Sequence, residues 1–230
     1  MQDYLNYLSN IIKLVDQQDL DLQSFSVLDI DDTDKIFLYL YMKLKILQNL
    51  NLFYEYILPL RMTLSKHLLI TFFCDYLTIF NNGIIVKPSE LVSSFFNFYE
   101  TQLQKVKNQD ILKQLLKYAT YYKKIVNSSL GFEKIDKLLL EINNLNSTEA
   151  YPLLMQLCED FEYALINQEM FIDSLNMIIS FIKYQNSSSS SGLVTDFNSL
   201  GSEINKILFL KDYSAKIIHT TTEDLILNIS

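Results

Sequence analysis

Glycine and proline are scarce in this 230-residue chain, with four of the first and three of the second. Reversals that need a left-handed backbone or a fixed φ are therefore few, and the loops that usually carry active-site residues have little material to form from. Tryptophan is absent, Arg61 is the only arginine, and His67 and His219 are the only histidines. A histidine-dependent nucleophilic site has two starting points at most. Cys74 and Cys158 lie far apart, with no Cys-x-x-Cys or Cys/His cluster round either. That argues against a disulfide framework or a zinc site and fits a reducing compartment, so no cofactor or metal is expected. The opening Met1-Gln2-Asp3-Tyr4-Leu5 carries an acid where a secretory signal carries basic residues. The expected location is cytoplasmic or nuclear, not secreted. Long uncharged apolar runs are missing too. Residues 36–60 are interrupted by Lys43, Lys45 and Glu55, and residues 64–80 by Lys66, His67 and Asp75. A membrane span needs about 20 largely uncharged apolar residues, so no transmembrane segment is expected.

What is present is apolar residues at helical spacing. Hydrophobic residues make up 49% of the chain and charged residues 20%, with 15 Phe and 15 Tyr, a globular balance able to bury a sizeable core. Recurrence at three and four residues predicts one helix after another, each with a buried face. The first carries Tyr4, Leu5, Leu8, Ile11, Ile12 and Val15. The second starts near Thr33, where Asp31, Asp32 and Asp34 can cap free N–H groups, and carries Phe37, Leu40, Leu44 and Leu47. It is apolar on most sides, and Pro59 should kink or break it.

A third helix is predicted from about Thr63 to Phe80, stopped by Asn81-Asn82-Gly83. Pro88 and Ser89 open the fourth, with Val92, Phe95, Tyr99 and Val106 on one stripe. The fifth, from about Asn108, should bury Leu112, Leu115, Ala119, Tyr122 and Val126; the sixth, Ile135, Leu138, Leu139 and Ile142. Ser147 is the expected cap of the seventh, whose stripe is Leu153, Leu154, Leu157, Cys158, Phe161 and Leu165. Asn167 opens the eighth, with Phe171, Leu175, Ile178 and Ile182. The fold class is therefore all-α, about 8–10 antiparallel helices forming an irregular bundle or a short HEAT/armadillo-like α-solenoid. Residues 1–184 form the expected helical core domain, 185–202 a Ser-rich flexible linker, and 203–230 a C-terminal helix and tail packing on the core. The serine run hints at a eukaryotic source.

One motif carries chemistry. Asp29-Ile30-Asp31-Asp32-Thr33, preceded by Phe25, Val27 and Leu28, resembles the first motif of haloacid-dehalogenase-like phosphatases. That resemblance implies a nucleophile at Asp29, a general acid/base at Asp31, and magnesium held by both. It covers five residues, and the family also needs an α/β sheet, whereas here the chain runs straight into a helix. Asp34 stands where the family has an apolar residue, and helix capping explains the same acids more simply. An EF-hand loop is excluded because Asp34 replaces its turn glycine and Leu40 its bidentate glutamate. Thr63, His67, Thr71, Asp75 and Thr78 follow one side of the third helix. His67 and Asp75 sit about 11 to 12 Å apart along its axis, too far for a direct pair, so that side reads as a solvated face.

Charge is polarised. Residues 1–34 hold eight acids against Lys13, whereas residues 105–137 hold eight lysines against Asp110, Glu133 and Asp136, within a net charge of −8. The basic segment could meet an acidic protein or an anionic membrane. Nucleic acid is disfavoured by the net charge, the single arginine and the lack of a binding motif. The expected function is a non-catalytic helical protein-interaction subunit or adaptor of a multiprotein complex, not an enzyme. Its expected contact residues are Tyr39, Met42, Phe53 and Tyr54, with Lys113, Lys117, Tyr121 and Lys124 on the basic segment. The alternative is a helical enzyme or small-ligand-binding protein with a pocket between helices.

Overall fold

A computed structural model describes residues 30–81 and 84–187, together with Tyr7, Asn10 and Lys13. Of these residues 81% are helical and none lies in a strand, so the described chain is all-α. It falls into two compact units, one within Met1–Leu77 and Ile85–Thr120, the other within Thr78–Ile84 and Tyr121–Ser230.

In the first unit, α1 (Asp32–Ile46) begins as its acids predict. Asp31 is the N-cap, its carboxylate accepting the Thr33 N–H at 2.9 Å, and Asp32 and Asp34 occupy the first turn while Lys43 and Lys45 occupy the last. The charges at both ends thereby complement the helix dipole. Ile36, Phe37, Leu38, Tyr39, Leu40 and Leu44 are all buried, as suits a helix apolar on most sides. The next helix, α2 (Leu50–Thr63), contains a π-helical turn, Phe53–Ile57, directly before Pro59. Proline lacks an N–H, and its ring crowds the carbonyl four residues back. The wider turn absorbs both defects, so the helix continues through Pro59 instead of breaking there. The break falls at Leu64, which is extended, and α3 (Lys66–Phe80) leaves at 111° to α2. The third helix therefore starts at Lys66 and not at Thr63.

A 3₁₀ turn, Pro88–Glu90, leads into α4 (Leu91–Leu103), which buries Leu91, Phe95 and Tyr99. Phe73 joins this helix to the others, its ring lying edge-on to Phe37 at 5.9 Å and to Phe95 at 5.4 Å. The division between the units falls inside α5 (Asn108–Val126), where Leu112, Leu115, Ala119 and Tyr122 are buried as predicted and Val126 is half-buried.

In the second unit, α6 (Glu133–Asn144) and α7 (Tyr151–Glu162) both pack with α8 (Gln168–Ser187). Their shared core includes Ile135, Leu139, Ile142, Leu154, Leu157, Cys158, Phe171, Leu175 and Ile178. Asn167 caps α8 by accepting the Met170 N–H at 2.9 Å. Ser147 does not cap α7: a 3₁₀ turn, Thr148–Ala150, precedes that helix, and the Ser147 hydroxyl donates to Glu149 at 3.3 Å.

The helix stops show what replaces glycine. Gln48, Ser128, Asn146 and Ala164 all have positive φ, between 49° and 57°, and each follows a helix by two residues. After α1, α5 and α7 the hydrogen bonds are those of a Schellman motif. At Gln48 the N–H donates to Lys45 O at 3.1 Å and that of Asn49 to Leu44 O at 2.8 Å; at Ala164 the pair is to Phe161 O and from Leu165 to Asp160 O. The observed helix ends correct three expectations. Leu47, Val106 and Leu165 were placed on buried stripes, but their helices end at Ile46, Leu103 and Glu162, and all three are exposed. The α8 helix runs to Ser187, past the expected linker start at 185. The rest of that linker, the segment 203–230, Asp29, Gly83 and most of the expected first helix lie outside the described residues.

Candidate interaction surface

The expected contact residues divide by burial. Tyr39 and Phe53 belong to the core of the first unit, which corrects their assignment to a partner-facing surface. Tyr39 stacks on Phe96 with ring centroids 4.0 Å apart, meets Tyr99 edge-on, and donates its hydroxyl hydrogen bond to Glu100. Glu100 also pairs with Lys43. Burial acts on both groups first: it pushes the Tyr39 phenol far up, helped by the carboxylate, whereas on Glu100 the Lys43 and Tyr39 hydrogen bonds outweigh it and hold the carboxyl low. Phe53 sits edge-on to Tyr41 at 5.4 Å, turned inward by the π-helical turn. In the second unit Tyr121 is also buried, and its hydroxyl donates to Glu162 at 2.8 Å.

The others keep access to solvent. Met42, Lys117 and Lys124 are half-buried, and Lys113 is exposed. Tyr54 is 61% exposed. It stands at the corner where α1 gives way to α2, and the same corner exposes Ile46 at 61% and Leu47 at 44%, with Met62 at 50% toward the far end of α2. Sequence periodicity missed Ile46 and Leu47 because it extended the apolar pattern of α1 past its true end, and it gave no separate signal for Met62 on α2. The signal available was the polar pair Gln48-Asn49 interrupting an otherwise apolar run.

Of the catalytic candidates, Asp29 lies outside the described residues. Asp31 is occupied by capping: its carboxylate accepts from the Thr33 N–H and hydroxyl and pairs with Lys66 at 3.4 Å. Burial raises its carboxyl, but those bonds and the Lys66 charge together hold it below its ordinary value. His67 is exposed, Asp75 is half-buried and Thr78 is buried, so the polar side of α3 is not uniformly solvated. Cys74 and Cys158 are buried thiols outside any disulfide, burial pushing Cys74 up to about 11 and Cys158 higher still, which makes both poor nucleophiles. Among the described residues no three His, Cys, Asp or Glu side chains are grouped to hold a metal, and no single helix is long and apolar enough to cross a membrane. An open depression of about 610 Å³ lies at the α4–α5 corner, lined by Leu103, Lys105, Val106, Lys107, Asn108 and Asp110 among others.

No protein-family model, curated protein or solved structure matches this chain. The arrangement of side chains is therefore the whole basis for a functional reading. What that arrangement offers is apolar surface at the α1–α2 corner and lysines along α5.

Proposed function

We propose that this chain is a non-catalytic helical interaction subunit, an adaptor within a multiprotein complex, that docks a protein partner through the α1–α2 corner. The observation that carries this reading is the exposure of Ile46, Leu47 and Tyr54 within one corner of the first unit. Single exposed apolar side chains are ordinary, but large ones grouped together mark contact surfaces. Aromatic residues such as Tyr54 are favoured at the energetic centre of such contacts, and Lys113 and Lys117 would steer an acidic partner toward the same unit. The helices would form an irregular bundle or a short HEAT/armadillo-like stack, acting in the cytoplasm or nucleus. The test is affinity capture of the full chain with quantification of stoichiometry, repeated with Ile46→Ser and Tyr54→Ser. A stoichiometric partner lost from both variants while their helical content is unchanged supports the reading. A partner retained by both, or no stoichiometric partner, overturns it.

A further inference from the structure

Asp160 is the one acid of α7 that faces the interior: it is 5% exposed, and its Oδ2 is buried without a hydrogen-bond partner among the described residues. A buried polar atom left unpaired costs stability, and a charged one costs more. Its position aggravates that cost. Asp160 lies in the last turn of α7, where the negative end of the helix dipole opposes a carboxylate, and Glu159 adjoins it.

Among the described residues, the charged groups on the elements packed against α7 do not offset the charge. Glu149, Glu169, Asp173 and Lys183 are exposed, and Lys183 is engaged by Glu141 at 2.7 Å. On α5, Lys124 acts on the Cys158 thiol, and on α7 itself Glu162 accepts from Tyr121. Burial first, and Glu159 second, push the Asp160 carboxyl up to about 6.

The backbone of the same residue holds the α7–α8 turn. The Asp160 carbonyl accepts the Leu165 N–H at 2.8 Å and the Ile166 N–H at 3.4 Å, around Ala164 in its left-handed conformation. Opening this turn would free both amides and release the carboxyl to water.

We infer that Asp160 makes the α7–α8 turn a proton-responsive latch, held most firmly when the carboxyl carries a proton. An acid whose folded-state value is raised binds its proton more tightly folded than open. The latch is therefore strongest below the ordinary carboxylate range near 4 and is lost as pH rises through about 6. Across physiological acidification the turn tightens, opposite to the usual effect of paired carboxylates.

The test is amide hydrogen exchange at Leu165 and Ile166 in the full chain, corrected for the intrinsic pH dependence of exchange. Protection at pH 5 is expected to exceed that at pH 7.5 by about tenfold, the ratio that a folded value of about 6 gives against an open-state value of about 4. In Asp160→Asn the ratio should fall to within about twofold. Equal protection at the two pH values in the wild type, or an unchanged ratio in the variant, overturns the latch. Should the variant fail to fold, carboxyl-carbon NMR on the wild type decides: a midpoint near 6 for Asp160 supports it, and one near its ordinary value of about 4 refutes it.

Discussion

Ala164→Gly should stabilise this protein, although it removes a methyl group and adds backbone freedom. Ala164 sits at φ 55° after α7, and its side chain is exposed, so little packing is lost. An L-residue in the left-handed region gives up about 1–2 kcal/mol relative to its preferred conformations. Glycine relieves that strain but returns about 0.5–1 kcal/mol of entropy to the unfolded chain. The net expectation is about 0.5–1 kcal/mol of stabilisation, with the turn bonds from Ala164 N–H to Phe161 O at 3.1 Å and from Leu165 N–H to Asp160 O at 2.8 Å kept. For a chain of this size that is an increase in Tm of about 1–4 °C, measured by scanning calorimetry at fixed pH. The reciprocal change supplies an internal control. Gly131 has φ 96°, and a Cβ built there meets no heavy atom within 4 Å, so Gly131→Ala adds backbone strain without a clash and should lower Tm. Destabilisation by Ala164→Gly, or equal signs for the two variants, would refute the argument that left-handed non-glycine stops are under strain.

Three further outcomes follow from named contacts. Tyr39→Phe removes the hydrogen bond to Glu100 while leaving the ring stacked on Phe96, and urea unfolding should show a loss of about 1 kcal/mol. Asn143→Ala should cost about 2 kcal/mol: its amide donates to Ile125 O at 2.9 Å and Val126 O at 3.2 Å, closing the end of α5, and its oxygen accepts the Tyr151 hydroxyl at 2.9 Å. Faster amide exchange at Ser128 and Ser129, whose N–H groups complete that helix end, would localise the effect. Asp31→Ala removes the α1 cap and should cost about 1 kcal/mol near pH 7. Because the Asp31 carboxyl is held below its ordinary value, the capping contribution is present above about pH 4 and lost as pH falls further. Wild-type and variant stabilities should therefore converge in acid.

Helix identity was legible in the sequence because apolar spacing is a local property. The stripes of α5, α6 and α8 bury nearly the residues that their periodicity picks out, and side-chain oxygens at Asp31 and Asn167 mark two of the helix starts. The stops were less legible. With only four glycines the chain ends helices at Gln48, Ser128 and Ala164, residues that also populate helix interiors, so periodicity carried Leu47 and Leu165 past the true ends. Pro59 misled for a different reason: its effect depends on whether the preceding turn can widen, and the π-helical turn at Phe53–Ile57 does so. The same turn buries Phe53 and leaves Tyr54 outside, a choice that no pattern of residue types encodes. Tyr39 looked like surplus apolar surface on a helix with several apolar sides, yet α4 supplies a facing ring and a carboxylate for it. The exposed corner of Ile46, Leu47 and Tyr54 was visible only once the end of α1 was placed.

The most direct test of the central claim is a stoichiometric capture experiment on the full chain, comparing the wild type with Tyr54→Ser and with the buried-site control Tyr39→Phe. A docking role for the α1–α2 corner predicts that Tyr54→Ser loses the partner by at least about tenfold while Tyr39→Phe, though less stable, keeps it. Partner binding that survives Tyr54→Ser, or that fails only in proportion to lost stability in both variants, would contradict it.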